Sequence, residues 1–206
     1  MEKYKEVVSQ DVINTTIEAL KGHNINAMYV ATGEEAKNKV LEMIPKGAEV
    51  MTMTSITLET IGLAKAINEN PDYVSIRAKF ATLGDDRASV LEKNRLGAAP
   101  EWTFGSVHAV TQDGRLMIAS GTGSQLPAYA YGASHVVWVV GAQKIVKDLD
   151  EGMKRIYDYV LPLESERANK AYNITTGSNV NKMLIINNEG NKSRLNLIVV
   201  GEALGF

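Results

Sequence analysis

The spacing of apolar residues changes between two periods along the first half of the chain. Stretches in which apolar residues recur every three or four positions predict amphipathic helices, and short continuous apolar runs predict strands. The predicted helices span 3–21, 32–44, 55–68 and 86–96, and the predicted strands span 25–31, 48–53 and 73–77. Strands that alternate with helices favour right-handed βαβ units, so this half predicts a mainly parallel sheet.

The second half adds two predicted hairpins, which make the predicted sheet mixed. Asp113-Gly114 separates two β-type runs, and glycine tolerates the positive φ of a tight reversal. The paired runs are 105–111 with 115–119, and 182–186 with 195–200 across the turn 187–190. The remaining predicted elements are a short helix ending at 131, a buried strand at 135–140, and helices at 149–160 and 164–171.

Composition fits a globular protein with one substantial core. Apolar residues make up 45% of the 206 positions and charged residues 22%, which is ordinary for such a protein. No internal repeat, low-complexity segment or linker divides the sequence. We therefore expect a single domain over residues 1–206.

Charge and cysteine content exclude several classes of function. The net charge is −2, both signs are mixed along the chain, and the basic stripe of a nucleic-acid binder is missing. The absence of cysteine excludes disulfides, thiol nucleophiles and cysteine-held iron–sulfur or zinc sites. No histidine pair has the spacing of a zinc helix. We expect no metal and no cofactor held by the chain itself.

The sequence also lacks the features of a secreted or membrane protein. The first residues, MEKYKEVVSQDVI, do not contain the apolar run of a signal peptide. The longest apolar stretch, 136–142, is too short to span a bilayer. We therefore expect a cytoplasmic protein without a membrane partner.

The richest polar turn has the sequence GTGSQ and lies between a predicted strand and a predicted helix. Backbone N–H groups and hydroxyls in such a turn can bind an anion such as phosphate or carboxylate. The turn is not a P-loop, since no lysine follows the last glycine, and Leu126 replaces the third glycine of a dinucleotide fingerprint. An ordinary strand-to-helix turn explains it equally well. The candidate ligand residues here are Gly121, Thr122, Gly123, Ser124 and Gln125.

A second hydroxyl-rich segment, 52–57, follows another predicted strand. Ser55 and Thr57 lie beyond the carboxyl end of that strand, where ligands bind in open α/β sheets. Helix capping is the competing explanation. Several basic residues near element ends can pair with an anionic ligand or can simply be surface charges. They are Arg77, Arg95, Lys144 and Arg167.

Two residues are candidates for proton transfer. His108 lies in the predicted strand 105–111, close to the glycine turn if the hairpin forms, and can serve as an acid, a base or a ligand donor. A hydrogen-bonded structural histidine is the alternative. Glu101 is a second candidate for handling protons or for acting as a nucleophile.

The segment 105–168, which begins GSVHAVTQDGRLMIASGTGSQLPAYAYGASHVVWVVGAQKIV, resembles the LUD (lactate-utilisation) domain family. The resemblance extends upstream through RLGAAPEW and SITLETIGL, and downstream through VNKMLIINNEG and VVGEALGF. It therefore covers nearly the whole chain. The matched positions that it suggests for a site are Ser55, Thr57, Ser106, His108, Gly121, Gly123, Ser124, Gln125 and Lys144.

The resemblance implies a fold and a metabolic setting. The fold is the three-layer, Rossmann-like α/β sandwich shared by sugar-phosphate isomerases, CoA transferases and formyltetrahydrofolate cyclo-ligases. Family members include the lactate-utilisation proteins B and C, which support oxidation of L-lactate to pyruvate alongside iron–sulfur partners. This chain lacks the cysteine-rich portion of protein B and resembles the shorter C type. Any redox centre would then lie on a partner protein.

Three functions are compatible with the sequence. The first is an accessory role in oxidation of lactate or another 2-hydroxy acid. The second is an enzyme for a small anionic metabolite (a sugar phosphate, a CoA ester or an organic acid), with Ser55, Thr57 and Ser124 binding the anion. The third is a non-catalytic module that forms homo-oligomers through the apolar C-terminal end, Leu204-Gly205-Phe206. Fold alone does not decide among them.

Overall fold

The computed structural model describes residues 2–206. Its strands are β1 (Asn26–Val30), β2 (Glu49–Thr52), β3 (Val74–Ser75), β4 (Trp102–Gly105), β5 (Ala109–Thr111), β6 (Leu116–Ser120), β7 (His135–Gly141), β8 (Ile145–Val146), β9 (Lys182–Ile186) and β10 (Leu195–Val200). Its α-helices are α1 (Gln10–Gly22), α2 (Gly33–Met43), α3 (Ile56–Thr60), α4 (Leu63–Asn68), α5 (Ile76–Thr82), α6 (Arg87–Ala98), α7 (Leu149–Arg155) and α8 (Leu161–Tyr172). Shorter helical turns span Glu2–Tyr4, Ala128–Gly132, Ala142–Lys144 and Ile156–Val160. None of the helices in this part of the chain is long and apolar enough to cross a lipid bilayer.

Six of the strands within residues 2–206 form a parallel sheet, which we call the main sheet. Their order is β1-β10-β7-β4-β2-β3. In its centre, Ile198 of β10 lies between Met28 of β1 and Val139 of β7. β7 and β10 are buried on both faces, as is usual for the inner strands of a parallel sheet. The predicted mainly parallel α/β fold is confirmed.

Four further strands within residues 2–206 form a second, smaller sheet in the order β8-β5-β6-β9, the small sheet. β5 and β6 are antiparallel on either side of Gly114, which has a φ of +87°, as the Asp-Gly pair predicts. Side chains alternate between the two faces of this sheet. Val110 and Leu116 pack toward the main sheet, and Ala109 and Met117 pack toward α7 and α8.

Helices cover both faces of the main sheet. On one face, α2, α3 and α4 contribute Val40, Leu58 and Leu63 to a core cluster. On the other face, α1, α5 and the small sheet share a second cluster with β7 and β10. α7 and α8 then close the outer face of the small sheet.

The predicted hairpin of 182–186 with 195–200 is wrong. β9 lies at the edge of the small sheet against β6, whereas β10 lies in the main sheet between β1 and β7. Burial of Leu195–Val200 on both faces outweighs the local turn signal at 187–190. Within residues 2–206, the antiparallel pairs therefore belong to the small sheet alone.

Helix capping shortens two predicted elements. The predicted strand 73–77 ends at Ser75, because the Ser75 hydroxyl oxygen accepts a hydrogen bond from the amide of Ala78 (3.2 Å) and begins α5. The predicted helix 3–21 is too long at its start, since α1 begins directly after its cap residue, Ser9.

Two predicted boundaries also fall in the wrong place. The predicted strand 105–111 is two strands in different sheets, since β4 ends at Gly105 and β5 begins at Ala109. The predicted helices 149–160 and 164–171 form one continuous helical stretch through a π-helical turn.

The chain crosses from the main sheet to the small sheet directly after β4. A Cβ atom at Gly105, the last residue of β4, would overlap the hydroxyl of Tyr129. The Tyr129 ring is 2% exposed and packs edge-on against Trp138, with ring centroids 5.2 Å apart. Glycine is therefore required at this crossing, which sets the positions of Ser106 and His108.

We expect Gly105→Ala to lower the free energy of unfolding by about 1–3 kcal/mol, the usual cost of overpacking a core. The enclosed Tyr129 ring cannot swing away, so the loss should be smaller in a Tyr129→Phe background, where the overlapping oxygen is gone. Urea unfolding measures both differences. Gly190→Ala is the control, because a Cβ there meets no atom within 4 Å. Equal costs of Gly105→Ala in the two backgrounds would contradict this account.

Candidate functional site

A cleft of about 820 Å³ opens where β2, β4 and β6 end. The segments that follow these strands form one side of it, and residues of α5, α6 and α8 form the other. Nine of the residues that the sequence suggested as ligand contacts line this cleft, whereas Arg95 lies outside it. They are Ser55, Thr57, Ser106, Gly121, Thr122, Gly123, Ser124, Gln125 and Lys144. The structure thus brings them together, and contact of each with a ligand stays a prediction.

Glu101 does not belong to this site. It is exposed at the amino end of β4, opposite the carboxyl end where the cleft opens. Its carboxylate accepts a hydrogen bond from the amide of Glu49 (3.1 Å), and its carbonyl accepts one from the amide of His135 (2.9 Å). A role for Glu101 in proton transfer or as a nucleophile in the cleft is therefore wrong.

The apolar C-terminal residues pack against other parts of the same chain. Leu204 is 5% exposed, and its carbonyl oxygen accepts hydrogen bonds from the Thr57 hydroxyl (3.2 Å) and the Gln143 amide (2.9 Å). Phe206 lines the cleft. Leu204 is therefore not part of an exposed apolar surface, and docking of this end on a partner subunit stays a prediction.

Lys144 lies on the 3₁₀ turn that follows β7 and is only 2% exposed. Its ammonium nitrogen, Nζ, donates to the hydroxyl oxygens of Thr57 (3.0 Å) and Ser106 (3.2 Å). It forms no ion pair with any carboxylate of residues 2–206. Burial, together with the positive charge of Arg155, lowers the pKa of Lys144 well below its usual range. The alternative that Lys144 is a surface charge is wrong.

Arg77 is a second basic residue at the cleft. It projects from α5, its Nε donates to the carbonyl of Thr52 (2.7 Å), and one terminal nitrogen donates to the Thr54 hydroxyl (3.3 Å). It also has no carboxylate partner within the described chain. Burial lowers the pKa of Arg77, but an arginine stays charged at physiological pH.

The other charged groups of the cleft are paired. Arg167 holds Glu164 through two hydrogen bonds of 2.6 and 2.7 Å, and Lys93 pairs with the exposed Asp85 (3.1 Å). The uncompensated charge at the cleft therefore comes from the basic side chains. Positive charge that lines a cleft favours the approach of anions in general, and binding of one here stays a prediction.

His108 lies beside the glycine turn, as the hairpin predicted. Its Nδ1 accepts a hydrogen bond from the amide of Ala119 (3.1 Å), which leaves the ring proton on Nε2. Burial, Lys144 and Arg155 lower the pKa of His108 to about 3. The ring is therefore neutral near pH 7. Because Nδ1 is engaged and Nε2 carries the proton, His108 is a hydrogen-bond donor and not a base.

Arg155 is a residue that the sequence did not single out. It is fully buried on α7, and one terminal nitrogen donates to the carbonyl of His108 (2.8 Å). Its Nε and Nη2 have no hydrogen-bond partner within residues 2–206, and its guanidinium lies over the rings of Tyr4 (5.8 Å) and Tyr159 (5.3 Å). Burial lowers the pKa of Arg155 to about 10. No pattern in the local sequence of this helical stretch indicates that the arginine is buried.

The glycine turn partly satisfies its own amides. The Gly123 amide donates to the Ser120 hydroxyl oxygen (2.8 Å), and the Ser124 amide donates to the Thr122 hydroxyl oxygen (3.3 Å). The side chain of Gln125 accepts from the Ser120 hydroxyl (3.0 Å). A cradle made of the amides of Gly123 and Ser124 is therefore wrong, because both amides already donate within the turn.

We expect the His108 ring to stay neutral, with its proton on Nε2, from about pH 5 to about pH 8. The cause is the low pKa, which is set mainly by burial and is lowered further by the buried positive charge of Arg155. Nitrogen chemical shifts of the ring, assigned with a His108→Gln variant, measure both the tautomer and the titration. Shifts that move through pH 6.5, the ordinary histidine midpoint, would contradict it.

One solved structure with a TM-score above 0.5 agrees with this fold. A DUF162 family protein from Deinococcus radiodurans has 12% sequence identity and a TM-score of 0.55, over 94% of this chain and 99% of its own. Ribose 5-phosphate isomerase A from Methanocaldococcus jannaschii is a weaker likeness, with 14% identity and a TM-score of 0.41 over 82% of this chain and 93% of its own. eIF2B beta from Chaetomium thermophilum has 17% identity and a TM-score of 0.37, over 58% of this chain and 44% of its own.

Family membership rests on the sequence itself. No curated protein sequence matches this chain significantly. The profile of the LUD domain, however, matches residues 13–200, which is most of the chain. The protein therefore belongs to the LUD domain family.

Proposed function

We propose that this protein binds a small organic anion in the cleft and acts on it as an enzyme. The observation that carries the proposal is Arg77, a guanidinium that lines the cleft beside the buried amine of Lys144 and has no carboxylate partner in residues 2–206. Removing a charge from water is costly unless it is paired. A bound carboxylate or phosphate supplies the missing partner.

The hydroxyl groups at the cleft support the same proposal. Thr54 accepts a hydrogen bond from Arg77, and Thr57 accepts one from Lys144. Ser55 accepts from the amide of Leu58 (3.4 Å), and Ser124 accepts from a neighbouring hydroxyl, so each keeps its own hydroxyl proton to donate. Hydroxyl donors beside an unpaired guanidinium are typical of a site that fixes the orientation of an anionic ligand.

The volume of the cleft favours a ligand larger than lactate. About 820 Å³ lies within the usual range for small-molecule sites and exceeds what a three-carbon acid fills. Apolar side chains such as Phe80, Ile156 and Phe206 line part of it. A sugar phosphate or an acyl-CoA fragment combines the negative charge and the bulk that this cleft accommodates.

A narrower role in lactate metabolism is a second candidate, and family membership favours it. In that role the protein would assist oxidation of L-lactate or another 2-hydroxy acid in the cytoplasm. A chain without cysteine holds no cysteine-ligated cluster, so the electrons would pass to an iron–sulfur partner. The anion in the cleft would then be the 2-hydroxy acid or its 2-oxo product.

We expect at least one anion among lactate, pyruvate, ribose 5-phosphate and CoA to raise the melting temperature, because binding to the folded state alone stabilises it. Arg77→Gln should weaken that binding by about 10- to 100-fold, the equivalent of one charge-assisted hydrogen bond. Titration calorimetry measures the affinities. Arg95→Gln is the control, since Arg95 is exposed and lies outside the cleft.

The result also separates the two candidate functions. Preference for lactate and pyruvate would favour the narrower role, and preference for the phosphate-bearing compounds would favour the broader one. Unchanged affinity in Arg77→Gln, or equal losses in Arg77→Gln and Arg95→Gln, would show that the cleft is not the anion site.

A further inference from the structure

The hydrogen bonds of the Lys144 amine leave its lone pair free, as a nucleophile requires. The Thr57 hydroxyl donates its proton to the carbonyl of Leu204 (3.2 Å), and the Ser106 hydroxyl donates to the carbonyl of Val107 (3.4 Å). Both hydroxyl oxygens therefore face Nζ as acceptors. A neutral amine has two N–H donors and one lone pair, so these two acceptors use both donors and leave the lone pair free.

The surroundings of Lys144 favour this neutral form. The charged and titratable groups that act on it are Arg155, which is fully buried, and His108, which is neutral near pH 7. A third donor on an ammonium group would have no acceptor among the hydrogen bonds of residues 2–206. Burial and a positive neighbour both lower the pKa of Lys144, which agrees with the geometry.

We infer that Lys144 forms an imine with a small anionic aldehyde or ketone held in the cleft. The inference rests on the anion site proposed above and names the reactive group and the substrate class of that site. Buried lysines freed from their charge are well suited to this chemistry, because only the neutral amine attacks a carbonyl. Arg77 would hold the carboxylate or phosphate of the substrate at the same cleft.

The reaction balances without a further reagent. The Nζ lone pair attacks the carbonyl carbon, and the C=O π electrons move to oxygen. A proton passes from nitrogen to that oxygen and gives a carbinolamine. The carbinolamine hydroxyl then leaves, and the second nitrogen proton departs with it as water, so a C=N bond replaces the C=O bond. The Nε2 proton of His108, which lines the same cleft, is a hydrogen-bond donor for the carbonyl oxygen during attack.

Reductive trapping tests the inference. Full-length protein is incubated near pH 7 with glyoxylate or pyridoxal 5′-phosphate and with cyanoborohydride, which reduces an imine to a stable amine. Tandem mass spectrometry then locates the adduct. We expect labelling at Lys144 to exceed labelling at exposed Lys147 by about tenfold or more, because each unit of lowered pKa raises the neutral amine fraction about tenfold near neutral pH.

Two variants complete the experiment. Lys144→Met should remove the labelling, and Lys147→Met, three residues away and exposed, should retain it. Circular dichroism and melting temperature check that both fold. The wild-type adduct is located directly, so the test does not depend on Lys144→Met being stable.

The outcomes separate this inference from the proposed function. Selective labelling of Lys144 that is suppressed by a non-carbonyl anion bound in the cleft supports both. Binding of anions that depends on Arg77, without selective labelling of Lys144, overturns the imine and leaves the anion site standing. Absence of both binding and labelling overturns both. Uniform labelling of exposed lysines also overturns the imine.

Discussion

One apolar interface between two sheets determines where the other parts of this protein lie. The main sheet and the small sheet pack through side chains such as Trp138, Leu197, Val110 and Leu116, all fully buried. Burial of apolar surface is the dominant favourable term in folding, so this interface fixes the mutual position of the sheets. β4 belongs to one sheet and β5 to the other, and the chain must therefore cross between them beside the end of β6. The cleft lies at that crossing.

The hydroxyl-rich segments at the cleft have a structural role that explains their number. One hydroxyl, Ser55, caps α3, whereas Thr54 and Thr57 bind Arg77 and Lys144. A neutral oxygen satisfies the hydrogen bonds of a cation but does not cancel its charge. The protein thus orients two basic side chains through hydroxyl groups and does not pair either with a carboxylate of residues 2–206.

Much of this arrangement could be predicted from the sequence, because the relevant signals are local. The strand–helix alternation and the Asp113-Gly114 reversal depend on neighbouring residues, and strand ends in a parallel sheet meet at one edge. The remaining features depend on distant parts of the chain. The sheet to which β9 and β10 belong, and the burial of Lys144, follow from tertiary packing. The exclusion of Glu101 from the cleft was not predicted, because the local pattern did not reveal that a strand begins at Trp102, directly after Glu101.

Arg155 also affects how the electrostatic potential of the cleft changes with salt concentration. Mobile ions screen charges at a protein surface within roughly 8–10 Å at physiological ionic strength, but they do not enter a packed interior. Arg155 is fully enclosed behind His108, with Tyr4 and Tyr159 over its guanidinium. Its contribution to the electrostatic potential is therefore largely insensitive to added salt, unlike that of a surface arginine. The anion binding proposed for this cleft should therefore weaken less with added salt than binding that depends on surface charges alone.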